Sequence, residues 1–432
     1  MTKTAPSPDR INAAAERSKA FENRISRLTS KFSAIWQSES DTFAPMGPSY
    51  GLRQQREMEG RVEKMMPSQA ELDANSEEDA LVRMQRMKSS VRELVVESMD
   101  PCYREKTREM LSQFSDSGDE FLRRARVFDA RLKPEEIFQA LRNLWIINSM
   151  QVAFGLPVGL NQSAFAYSLL YPYTDNHLDA RTVSDHEKKE FNRALAQRLA
   201  GLMVTPSTDH VAKVYDLVEM IESEHPRLSF PDVYGSLLAI HRAQENSLRQ
   251  SGSGLEYSRS ATLAISVEKG GTSVLADGYM AKGSLTPQEA DFAFGYGVFL
   301  QFIDDMQDAG QDARSGYRTL FTLAAKKGPL DGLANRLLRF LNQVLASNDL
   351  LSAPRAAALT ELVRRSCRNL ILESIALTSC LYSTDFLKVA EQYSPIRFES
   401  IRRLHADVAA REKRLRRAFR GRQLTHRVAA CV

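Results

Sequence analysis

Apolar positions recur along this chain at three- and four-residue steps, and no stretch alternates with the period of a half-buried strand. Phe21, Ile25, Leu28, Phe32 and Ile35 predict an amphipathic helix over 17–40. Residues 41–72 are rich in Pro, Gly, Gln and Met and are expected to loop over the surface or stay mobile. A helix begins near Asn75, with Leu81, Met84, Met87, Val91, Leu94 and Val95 as its stripe, and Pro101 ends it. A short helix follows over 104–114, broken by Ser115-Asp116-Ser117-Gly118. Pro134-Glu135-Glu136 suits a first helical turn, and the run after it is apolar enough to be internal. Pro157 breaks the chain before Asn161, and the helix from there contains Pro172, a kink position.

Ser184 with Glu187 predicts a capping box, and further helices open near Asp209 and at Pro231. Ser251 to Gly254 reads as a flexible joint. The next helix, 258–268, is expected to stop at Lys269-Gly270-Gly271, since a double glycine after lysine is a C-terminal signal. Thr286, Pro287 and Glu289 form another capping box, and the helix they open is apolar on most of its surface. Residues 333–345 are amphipathic, and Pro354 to Tyr382 is long and partly internal. The fold expected is all-α, a helical bundle.

Chemistry concentrates where apolar helices end in acids. Asp304, Asp305 and Asp308 follow Phe299, Leu300, Phe302 and Ile303, and their three- and four-residue spacing puts several carboxylates on one face. Asp175 and Asp179 repeat that spacing after Leu169 to Tyr173. Buried like charges are costly unless paired, so two facing patches predict a cage for divalent cations; Mg²⁺ prefers such hard oxygen ligands. A solvated helix surface is the bland alternative. Arg142 lies inside an apolar helix and reaches either a phosphate, an aspartate or a structural ion pair. His241, Gln244 and Glu245 lie near one another but have no third ligand at zinc spacing.

The run FLQFIDDMQDAGQD resembles the second aspartate-rich motif of the class I isoprenoid synthase superfamily, the trans-prenyltransferases and class I terpene synthases. Leu300-Gln301 stands for its FQ, and Gly310 with Asp312 for its ending, with one residue inserted. Lys269-Gly270-Gly271-Thr272-Ser273 resembles the Lys-Thr segment upstream of that motif, and DNHLD resembles a degraded first motif, with Asn176 for its second Asp and Arg181 alone of its paired arginines. The resemblance covers roughly 130–400 and implies an isoprenoid-synthase-like bundle around a central apolar cavity. It implies metal-binding and catalytic roles for Asp175, Asp179, Asp304, Asp305 and Asp308, holding a cluster of Mg²⁺ on the order of three ions, with Mn²⁺ as the alternative.

Substrate phosphate contacts would come from Lys269, Arg142, Arg181, Arg242, Gln301, Arg318, Tyr393 and Arg397. The implied reaction is ionisation of an allylic prenyl diphosphate, followed by cyclisation or elimination. Phe154, Phe165, Tyr167, Phe294 and Phe299 are candidates to face the cation. The alternatives are a prenyl diphosphate synthase, a head-to-head prenyltransferase, or a catalytically inactive scaffold or regulatory relative.

The 432 residues divide into an N-terminal helical extension, 1–130, and a catalytic bundle, 131–432. A charge of +4 is no nucleic-acid signature by itself, and neither zinc-finger nor stacked-aromatic RNA motifs occur. Cys102, Cys367, Cys380 and Cys431 show no disulfide or metal spacing, which suggests a cytoplasmic setting. No apolar run reaches the length of a membrane span, and the first fifteen residues lack the apolar core of a secretory signal. Residues 401–427 carry ten Arg/Lys against two acids. They read as peripheral membrane contact, an acidic-partner site or a solvated terminal helix. A homodimer is a further expectation. Rossmann, Walker and nucleophile-elbow motifs do not occur.

Overall fold

The structure is a computed structural model that describes residues 8–65, 89–180, 182–251, 258–346 and 353–407. These residues form an all-α bundle with no strand among them. In chain order the helices are α1 (Pro8–Ser38), α2 (Leu52–Met65), α3 (89–98), α4 (Arg104–Phe128), α5 (Pro134–Ala153) and α6 (Gln162–Asp179). Then come α7 (Asp185–Leu199), α8 (Asp209–Glu224), α9 (Pro231–Ser247), α10 (Arg259–Lys282), α11 (Pro287–Gln307) and α12 (Ala309–Ser315). The last are α13 (Leu320–Ala325), α14 (Asp331–Ala346), α15 (Pro354–Leu377), α16 (Thr384–Glu391) and α17 (398–407).

The sequence signals for helix starts coincide with the observed caps. Ser184 and Thr286 each close a capping box with the glutamate three residues on, and Pro134, Pro231, Pro287 and Pro354 open their helices. Helix stops differ. α4 runs unbroken through Ser115–Gly118, because Ser117 and Gly118 are buried against α5. The Ser117 hydroxyl lies 3.4 Å from Asn148 Oδ1, and a methyl on Gly118 would stand 3.7 Å from Leu141. The small residues serve a helix contact.

α10 likewise runs straight through Gly270-Gly271, where the sequence suggests a stop. A methyl on Gly270 would stand 2.5 Å from the carbonyl oxygen of Gly297 on α11, and one on Gly297 would fall on the Gly270 carbonyl. A methyl on Gly271 would enter the Phe294 ring. The glycines therefore let two antiparallel helix backbones touch, and this crossing is the centre of the bundle.

The expected surface loop over 41–72 contains a helix, α2. Its Glu59 is 6% exposed and holds Arg397 through two hydrogen bonds of 2.6 and 2.8 Å. α1 adds Phe21, Ile25, Phe32 and Trp36 to the same core cluster as α10 and α11. Phe32 stacks on Phe294 and Trp36 meets Phe302, with centroids 5.8 and 4.4 Å apart.

The helix start near Asn75 with Leu81, Met84 and Met87, most of the 251–254 joint, and the basic run beyond 407 lie outside the described residues. No described helix is long and apolar enough to cross a membrane.

Candidate active site

The α10–α11 crossing sets the register of the site. Lys269 precedes the touching glycines on α10, and the acidic end of α11 lies alongside. Asp305 turns inward and is 6% exposed. Gln301 Nε2 donates to its Oδ1 at 2.8 Å and Ser266 Oγ to its Oδ2 at 3.1 Å. Burial pushes its pKa up to about 7, against the opposing pull of Gln301, Lys269 and Ser266. Asp304 faces the other way, with Arg142 Nη2 of α5 at 3.6 Å and half of its side chain exposed. Its pKa is raised by burial and by Asp308, with Arg142 and Lys269 opposing. Asp308 caps α11 and is exposed. Asp312 on α12 is raised by burial and then by Asp308, and it too feels Lys269.

Asp175 of the first acidic patch meets the second patch here. On α6, Asp175 Oδ2 accepts from Gln139 Nε2 of α5 at 3.5 Å. The Tyr171 hydroxyl, one turn earlier, is raised in pKa by burial, then by Asp175 and Asp304, with Arg142 opposing and Gln139 in hydrogen-bond reach. Asp175, Asp304, Arg142, Gln139 and Tyr171 thus gather where α5, α6 and α11 meet, with Lys269 of α10 beside them. Asp179 closes α6, and its side chain, like Arg181, lies outside the described residues.

The expected metal cage is corrected by this geometry. Among the described residues, no group of three His, Cys, Asp or Glu side chains is arranged to hold a metal ion. The physical reason is divergence: Asp305 points into the core, Asp304 turns to Arg142, and Asp308 faces solvent. Charge that divalent ions would neutralise is met by the Arg142 guanidinium and the Lys269 ammonium. The described residues do not fit a Mg²⁺ or Mn²⁺ cluster, and the metal-dependent expectation falls with it.

The remaining sequence candidates have other partners. Arg242 forms an ion pair with Glu22 of α1. Gln301 is held by Asp305. The Arg318 backbone N–H donates to the Gln250 carbonyl, and Gln250 Nε2 donates to the Arg318 carbonyl, each at 3.2 Å. Tyr393 lies against Phe43, 6.1 Å between centroids, and Arg397 is paired with Glu59. Thr272 is buried and donates back to the Glu268 carbonyl at 2.7 Å. His241 is buried on the Asn192 carbonyl at 3.1 Å. Of the aromatic candidates, Phe165 packs on Phe121 and Phe128, and Phe294 on Phe32. Phe299 lies beside Tyr296, Phe154 is only partly buried, and the Tyr167 hydroxyl donates to the Ser273 carbonyl at 3.3 Å.

Sequence reading missed four polar residues. Gln139, Tyr171 and Ser266 sit three or four residues before Arg142, Asp175 and Lys269, a helix-face spacing that was the available signal. The fourth is Asp277, fully buried on α10, whose Oδ1 accepts from Asn143 Nδ2 at 2.9 Å while Oδ2 has no protein partner. Burial pushes its pKa well above the ordinary carboxylate value, with the Asn143 hydrogen bond opposing. A lone Asp within VLADGYMA was its signal. No protein-family model matches the sequence, and no curated protein matches it.

Proposed function

We propose that the chain acts on an allylic prenyl diphosphate, with the head group at the mouth where α5, α6, α10 and α11 meet. The observation that carries this reading is convergence. Aspartates from two patches far apart in sequence, two cations and a half-buried tyrosine gather at one end of a strongly apolar bundle. Arg142 and Lys269 are the groups that would meet the diphosphate, exchanging the carboxylates they now face for phosphate oxygens. Burial holds Asp305 toward its neutral form near pH 7, which lowers the repulsion an incoming anion feels. Heterolysis of the allylic C–O bond sends the bonding electrons to the diphosphate and leaves an allylic cation. Intramolecular capture and proton loss then give a cyclised or eliminated hydrocarbon.

The test is diphosphate release from geranyl, farnesyl and geranylgeranyl diphosphates, each with and without isopentenyl diphosphate. Release from one substrate alone, reduced at least tenfold in Arg142→Gln and Lys269→Gln, supports the reading. A longer diphosphate that appears only with isopentenyl diphosphate redirects it to chain elongation. No release and no binding would overturn it.

A second reading is a catalytically inactive relative serving as a scaffold. Its support is the packing of the aromatic candidates: Phe294, Phe299 and Phe165 are filled round by side chains, and Arg142 already has an internal partner. Binding of a prenyl diphosphate without turnover is its expected outcome.

A further inference from the structure

A second concave site lies outside the mouth. The end of α1, the start of α10, α13 and α14 enclose a cleft of about 330 Å³. That volume is at the small end of the range for small-molecule sites. None of the mouth's acids or cations lines it. Its cationic side is Arg259 and Arg336, and its apolar side is Trp36, Leu263 and Leu320.

The cations are under-used. Arg336 is mostly buried, 18% exposed, yet its Nε has no hydrogen-bond partner. Its Nη2 stands 3.8 Å from Asp41 Oδ2, beyond hydrogen-bond length, and its guanidinium lies 5.8 Å from the centre of the Trp36 ring. Arg259 forms no ion pair with a described residue. It is the first residue of α10, whose Ser258 cap accepts from the Ala261 N–H, leaving the Arg259 and Ser260 N–H groups outside the helix ladder. Two guanidiniums, a hydroxyl at Ser260 and a helix start thus surround one small space with an aromatic wall.

We infer that this cleft binds a small phosphate monoester, its dianionic phosphate between Arg259 and Arg336 and its ester group directed to the open side, because Trp36 and Leu320 at the floor are buried. A phosphate dianion matches two guanidinium charges, where a carboxylate would balance one, and planar guanidiniums bind phosphate oxygens in pairs.

Calorimetric titration of the full chain with phenyl phosphate, inorganic phosphate and phenol tests the inference. One phenyl phosphate or one inorganic phosphate is expected to bind per chain, with no heat from phenol. Arg336→Gln and the exposed Arg259→Gln are each expected to weaken binding about tenfold or more, and Lys269→Gln to leave it unchanged. Arg259→Gln keeps the test informative if Arg336→Gln unfolds. No binding at millimolar concentration, or binding indifferent to both arginines, would overturn the inference. Loss of binding in Lys269→Gln would assign the phosphate to the mouth and also overturn it, without bearing on prenyl diphosphate turnover.

Discussion

Gly270→Ala is the sharpest test of how the site is built. In an ordinary helix interior the change stabilises by about 1 kcal/mol, because alanine loses less backbone entropy. Here the new methyl would stand 2.5 Å from the Gly297 carbonyl oxygen, where ordinary contact begins at 3.4 Å. α10 and α11 would have to part by about 1 Å, and a backbone carbonyl cannot rotate away. Overpacking of this kind costs roughly 1–3 kcal/mol, and the rigid partner places it at the upper end. The net expectation is a loss of about 2 kcal/mol, with Lys269 displaced from Asp305. Gly60 in α2 is the control: a methyl there meets nothing within 4 Å, so Gly60→Ala should gain about 0.5–1 kcal/mol. Urea unfolding, read as midpoint and slope, reports both changes. Equal stability of Gly270→Ala and the parent chain would refute the close crossing.

Three further expectations follow. Asp305 has its pKa raised from 3.8 to about 7, so its contribution is fully present below pH 3.8 and is lost as pH rises through 7. Asp305→Asn should therefore gain a few kcal/mol at pH 8 and almost nothing at pH 3.5 in urea melts. Glu59 has its pKa lowered from 4.5 to about 2, chiefly by hydrogen bonds from Arg397. Its stabilisation is present above pH 4.5 and lost as pH falls through 2; Glu59→Gln should flatten the acid limb of the stability curve and speed proteolysis within α2. Phe32→Ala should cost about 3–5 kcal/mol, because α1 is part of the core; thermal unfolding indistinguishable from the parent would mean α1 is a detachable extension.

Helix starts were legible in the sequence because a cap is a local event: Thr286, Pro287 and Glu289 satisfy one another within a single turn. Helix stops were less so. Gly270-Gly271 reads as a terminator, and only Gly297 and Phe294, distant in sequence, make it an interface. Ser117-Gly118 carries the same ambiguity, resolved by Asn148 and Leu141. The acidic patches were visible from spacing, and their meeting at Arg142 and Tyr171 agrees with that spacing. Their divergence was not visible, since Gln301 and Ser266 decide where Asp305 points. Arg397 shows the same limit: its partner Glu59 sits in a stretch whose composition suggested a loop.

The most direct measurement is calorimetric binding of farnesyl thiodiphosphate, a slowly ionised analogue, to the full chain in EDTA. The mouth as described predicts binding without added metal, weakened about tenfold or more in Arg142→Gln and Lys269→Gln and stronger at pH 6 than at pH 8. Binding that appears only when Mg²⁺ is added, or that ignores both cations, would contradict a mouth whose own side chains carry the charge.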